Sequence, residues 1–140
     1  MPLECCQMLS IVASEKWGHG FGTLPKADGT PYATEKGAFR NHPCTVWAGV
    51  NRANYTWLAD HALALCEQFV KRFDKVHSCC KPILTLTSLT DLLPTGIMTP
   101  FAQAMPDEHK HEDAVVAYRS YYRTKEFAAW DKGTPAPKWW

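Results

Sequence analysis

From Asn54 to Phe73 the apolar residues Tyr55, Leu58, Ala62, Leu65, Phe69 and Phe73 recur three or four positions apart, with Asp60, Glu67 and Lys71 between them. That period places one buried stripe along a helix and excludes a strand, whose side chains alternate from face to face. Asn51 is a suitable N-cap, and neither proline nor glycine interrupts the pattern before Pro82, so the helix is longer than most in globular proteins. Ahead of it, Asn41-His42-Pro43 imposes an extended dipeptide, after which Pro43 suits the first turn of a short helix through Trp47 and Val50. The whole stretch from Asn41 to His77 is therefore expected to carry the fold: a mainly α-helical, single-domain bundle around one long central helix, with long irregular loops.

The flanks supply what packs on it. Leu3, Cys6, Met8, Leu9, Ile11, Val12 and Ala13 give a first helix over Met1 to Glu15, with Pro2 acceptable only in its first turn. Gly18, Gly20 and Gly22 end that helix, and the chain through Gly37 reads as a long irregular excursion. Its GHGFG pattern follows no strand and lacks the lysine of a phosphate loop, so it is a connector. After Lys81-Pro82, Ile83, Leu84, Leu86, Leu89, Leu92 and Leu93 allow a shorter helix, with a strand as the alternative because of the threonines. Pro94, Gly96, Pro100 and Pro106 predict a loop crossing the surface. Asp113 can then cap a last helix over Ala114 to Trp130, with Val115, Tyr118 and Tyr122 on one side.

At 140 residues the chain suits one domain spanning 1–140, with 131–140 as an aromatic-basic C-terminal tail. Its net charge of +1 sets up no global field toward nucleic acid or membrane, so any basic site is local. No apolar run approaches a membrane span, and Met1 to Val12 lacks the basic start and apolar core of a signal peptide, so the expectation is a soluble, intracellular protein without a membrane partner. Two of the cysteine clusters are adjacent pairs, Cys5-Cys6 and Cys79-Cys80, and reduced thiols acting as small buried hydrophobes are expected.

Chemistry concentrates at the two ends. Arg119, Tyr121, Tyr122, Arg123, Lys125, Lys132 and Trp139 interleave cations with aromatic planes, the components of a nucleic-acid surface; the plainer reading is a helix with solvated arginines and a tail folded back as a hydrophobic clasp. Two final tryptophans left free in water would be unfavourable, so the tail must pack on something. Glu4 is a carboxylate at the start of an apolar helix, where acids are either edge residues or tuned by partners. Asp60 and His61 form a second candidate pair, although helix neighbours point in different directions. His42 with Cys44, and His77 with Cys79 and Cys80, offer soft ligands at spacings that do not fit zinc, so neither a metal nor a cofactor is expected.

Met1-Pro-Leu-Glu-Cys-Cys-Gln-Met-Leu-Ser10, His42-Pro-Cys-Thr-Val-Trp47, Asn54-Tyr-Thr-Trp-Leu58, Ala64-Leu-Cys-Glu67, Met105-Pro-Asp-Glu108, Ala117-Tyr-Arg119 and Tyr121-Tyr122 together resemble a family of small bacteriophage proteins. Members of that family usually carry a leader ahead of the segment matching Met1 to Ser10, which implies a short form or a late start here. More distantly, the layout is similar to the phage pyrimidine-dimer DNA glycosylase/lyases, in which an N-terminal amine attacks the sugar C1′ with help from a glutamate on an early helix. The resemblance implies Glu4 as that glutamate, with DNA as partner and the host cytoplasm as location; the amine-bearing end has no counterpart here, so the candidate nucleophile of this chain is the amine of Met1, or of Pro2 if Met1 were removed. The alternatives are a non-enzymatic interaction or virion-associated protein that docks through its aromatic tail, and a truncated, inactive member held together as a homodimer.

Overall fold

The computed structural model describes residues 1–17, 39–91 and 93–140, with the backbone alone at 15–17. The glycine-rich excursion expected over 18–37, its GHGFG pattern and Leu92 lie outside the described residues. Among those described, every regular element is helical: α1 (Pro2–Trp17), α2 (Pro43–Ala48), α3 (Arg52–Phe73), α4 (Cys80–Thr87) and α5 (Ala114–Tyr122), with a 3-10 turn at Asp107–His109. The strand alternative after Pro82 is not realised.

The expected caps form. The Asn51 side chain accepts from the Asn54 amide at 3.0 Å and starts α3, and Asp113 accepts from the Val115 amide at 2.7 Å and starts α5. The long helix ends at Phe73, because Asp74 turns left-handed at φ 50° and its amide closes on the Val70 carbonyl. Pro82 does not act as a stop. It lies buried in the first turn of α4, where the missing N–H would have had no intrahelical partner.

α3 is the longest described helix, but the element covered on every side is α1. Met8, Leu9, Ser10, Ile11, Val12, Ala13 and Ser14 are all buried, two full turns without a solvent face. α2, α3 and α4 all pack against it. The stripe of α3 is buried at Tyr55, Leu58 and Ala62, partly covered at Leu65 and Phe69, and open at Phe73, which is 43% exposed. The mainly helical bundle is as expected, and the long helix α3 packs on α1, α2 and α4, sharing the centre with the buried middle of α1.

The proline-rich segment after α4 does cross the surface, as a strap bound to the starts of α2 and α3. Arg52 N–H donates to the Pro94 carbonyl (2.9 Å), Asn51 Nδ2 to Ile97 O (2.9 Å) and Trp47 Nε1 to Thr99 O (3.3 Å). Asn54, wholly buried, clamps Thr99 through its amide and its hydroxyl and also bonds the Trp47 carbonyl.

α5 stops at Tyr122, eight residues before the expected Trp130. Thr124 and Lys125 close three-residue turns onto Tyr121 and Tyr122, and the Thr124 hydroxyl bonds the Tyr121 carbonyl, so the backbone tightens and leaves the α path. Its inward residue is Ala117, and Val115 is 48% exposed.

Candidate nucleic-acid interface and amine site

The start of α1 carries a local pair of opposite charges. The Met1 ammonium lies 3.6 Å from Glu4 Oε2, with the two residues 58% and 50% exposed. A separation of three residues brings the groups onto one helix face, and a carboxylate in the first turn also faces the positive end of the helix dipole. The contact is thus a product of the helix start and lies in water, where such pairs add little stability.

The charges of this pair are felt by His77 in the α3–α4 loop, by Cys5 on α1 itself and by Tyr122 on α5. Burial, and then the Met1 ammonium, push the His77 imidazole below its ordinary range. Burial pushes the Cys5 thiol up to about 11, opposed by the same ammonium. The Tyr122 phenol is raised by burial first and then by negative charge on Cys44, Cys5, Glu4 and Tyr121, so Glu4 and α5 share one region. Tyr118 fastens α5 there, donating to the Ala102 carbonyl at 2.8 Å and standing 3.6 Å from Cys44 Sγ on α2.

On α5 and the tail, cations and rings contact each other. The Arg119 guanidinium lies 5.4 Å from the Trp139 ring centre, and Lys125 Nζ lies 3.8 Å from that of Tyr121. Arg123 donates to the Trp139 carbonyl through Nε at 3.0 Å and also through Nη2. Tyr122 completes the row between Tyr118 and Tyr121. Trp139 meets Trp140, Trp140 meets Trp130 edge to face, and Arg72 lies over Trp130, which returns the tail to the end of α3. The clasp expected of the tryptophans is what they make. Arg119, Tyr121, Tyr122, Arg123, Lys125 and Trp139 therefore form one patch; Lys132 stands apart from it, over the ring of Phe73.

His109 joins this patch without having been singled out for it. Its Nδ1 is 3.1 Å from Ser120 Oγ and its ring packs beside Tyr121, tying the 3-10 turn to α5. His77 near the amine was weighed only as a metal ligand. No spacing rule links residues 1 and 77, so only the fold, through the ammonium's electrostatic effect on the imidazole, reveals the association. As ligands, His42 and His77 are engaged otherwise: each Nδ1 accepts the amide two residues on, from Cys44 and Cys79. Among the described residues no group of three or more His, Cys, Asp or Glu side chains is arranged to hold a metal ion.

The first turns of α3 and the strap enclose an open cleft of about 470 Å³ whose lining includes Arg52, Thr56, Trp57, Asp60 and Met98. Asp60 and His61 diverge as expected. Asp60 lines this cleft while His61 stacks on Trp57 with ring centres 5.2 Å apart. Comparison with protein-family models, with curated proteins and with solved structures gives no match to this chain.

Proposed function

We propose that this chain acts on DNA as a glycosylase/lyase-like protein, with the amine at the start of α1 as nucleophile and the cations and rings of α5 and the tail as its DNA-binding surface. The supporting observations are the contact between the Met1 amine and Glu4, and the patch on α5 and the tail in which Arg119, Arg123 and Lys125 lie among aromatic rings. α-Amines as a class titrate near 8, so a usable fraction is unprotonated where lysine is not. In this reading the amine nitrogen attacks C1′ of a nucleotide, the C1′–base bond breaks, and the base leaves with the bonding electrons and a proton. Opening of the sugar ring then gives the imine, with Glu4 supplying the proton to the ring oxygen. Arg119, Arg123, Lys125 and Lys132 would meet phosphates, and Tyr121, Tyr122 and Trp139 would stack on bases once the tail opens.

Borohydride trapping with DNA carrying ultraviolet lesions, abasic sites or modified thymines tests this, using this chain and a form extended upstream of Met1. A covalent adduct is expected, lost when the amine is blocked. Glu4→Gln should remove the adduct while DNA affinity stays within a few-fold, and that affinity should fall steeply with salt. Absence of an adduct from either form, together with salt-insensitive binding, overturns the proposal.

A second reading, a non-enzymatic module that docks on a protein or on its own copy, is favoured by Val70, Phe73 and Val76, exposed together near the end of α3. It predicts negligible DNA association, and light scattering separates its homodimeric form from a monomer.

A further inference from the structure

Arg52, Thr56, Trp57 and Asp60 fall at i, i+4, i+5 and i+8, so they share one face of α3. That face and the strap at Gly96 and Met98 form the two walls of the open cleft of about 470 Å³, a volume suited to a small organic molecule. Both walls are fixed without a ligand. Asn51 and Arg52 hold the strap through Ile97 O and Pro94 O, and it lies so close that a Cβ added at Gly96 would stand 3.2 Å from Asn51 Nδ2. Trp57 is braced by three rings, with centres 4.6 Å away at Phe101, 5.2 Å at His61 and 5.8 Å at Trp47. It is still 39% exposed, and Met98 on the other wall is 45% exposed. An indole and a thioether already held in place offer an apolar seat that needs no ordering when a ligand arrives.

The charges of the cleft are unequal. The Arg52 guanidinium is engaged by Asp91, with Nη1 3.4 Å from Oδ1 and Nη2 donating to the carbonyl at 3.3 Å. It also stands two turns, about 12 Å along the axis, from Asp60. Asp60 has no such partner. The residues three and four positions from it on the helix are Trp57, Thr56, Leu63 and Ala64, none of them a cation. Among the described residues the ion pairs join other groups and leave Asp60 out. Burial holds the neighbouring His61 imidazole below its ordinary range, so near neutral pH it supplies no counter-charge either. An unopposed carboxylate beside a hydroxyl and an aromatic wall is the chemistry that recognises an organic cation with an apolar body. Magnesium and calcium are served poorly, since they need several oxygen ligands and a single carboxylate lines the cleft.

We propose that this cleft binds a small organic ammonium ion, with its charge against Asp60 and its alkyl groups against Trp57 and Met98. None of the residues assigned to DNA takes part, so the two readings fail independently.

Choline, and its neutral isostere in which a tert-butyl group replaces the trimethylammonium, are titrated separately into the isotope-labelled full chain and followed by nuclear magnetic resonance. Choline is expected to shift the Trp57 indole and Thr56 amide signals saturably at millimolar concentration, and to bind at least about tenfold more tightly than the isostere. Asp60→Asn, a change at an exposed position, should bring choline down to the affinity of the isostere and leave the isostere unaffected. Trp57→Leu should weaken both. Circular dichroism checks that each variant keeps its helices, and Asp60→Asn alone decides the role of the charge. Equal binding of choline and the isostere would overturn the proposal, as would an unchanged choline affinity in Asp60→Asn. So would the same shifts from potassium chloride, or no shift at Trp57 and Thr56.

Discussion

Asn54 is an amide with no exposure and three side-chain hydrogen bonds. Its Nδ2 donates to the Trp47 carbonyl and to Thr99 Oγ1, and its Oδ1 accepts from the Thr99 amide. Truncation leaves those partners buried without replacement, so Asn54→Ala should destabilise by about 3 kcal/mol, read as a lower urea midpoint at unchanged slope. The sequence marks Asn54 only as the start of a helical period. Its clamp on Thr99 joins positions 45 apart, a separation no local pattern encodes. The caps at Asn51 and Asp113 were legible because a cap is local chemistry: the side chain and the amide it meets lie two or three residues apart. The same distinction governs the candidate site. Glu4 and Met1 come together by helix spacing and could be paired on paper, whereas the influence of the ammonium on His77 could not.

The two longest helices divide the work differently from what their patterns suggest. A strong apolar period draws attention to α3, yet that period exists because α3 has an outer face. α1 shows little period because its middle, Met8 to Ser14, has none, so its importance is hidden in the uniformity of that burial. Leu9→Ala, in the sealed part of α1, should cost about 3–4 kcal/mol, and Phe73→Ala, at the open end of α3, less than about 1 kcal/mol. Paired urea titrations of the two variants check this order; a larger loss at Phe73 would return the central role to α3. The early end of α5 has a similar cause. Nothing in the run from Arg123 to Trp130 forbids a helix, and the turn is set by the Thr124 hydroxyl and by Arg123 reaching the tail.

Stability of the molecule as a whole should depend on pH through its two depressed histidines. Burial holds His61 below the ordinary imidazole range, and burial with the Met1 ammonium does the same for His77. Around and below pH ~6.5 the unfolded chain binds protons that the folded chain refuses, so folding is fully supported above that value and weakens as pH falls toward the folded values. Urea midpoints at pH 7.5 and 5.5 should therefore differ, the lower pH being less stable. His61→Phe, which keeps a ring against Trp57 and removes the titration, should flatten the difference; an unchanged slope would assign it to other groups. The all-helical class follows from period, caps and the spacing of prolines. How the ends meet depends on tertiary contact, and that part had to be seen.

The enclosure of α1 has a consequence for synthesis. α1 leaves the ribosome ahead of every helix that covers it, and the last of these contributes Leu86. With roughly 70 residues still to be translated at about 5–20 per second, an apolar helix waits for several seconds with all its sides wet. The nascent chain during that interval is the natural client of a chaperone, and slowing translation between α1 and α4 should lower the soluble yield more than slowing it after Thr87.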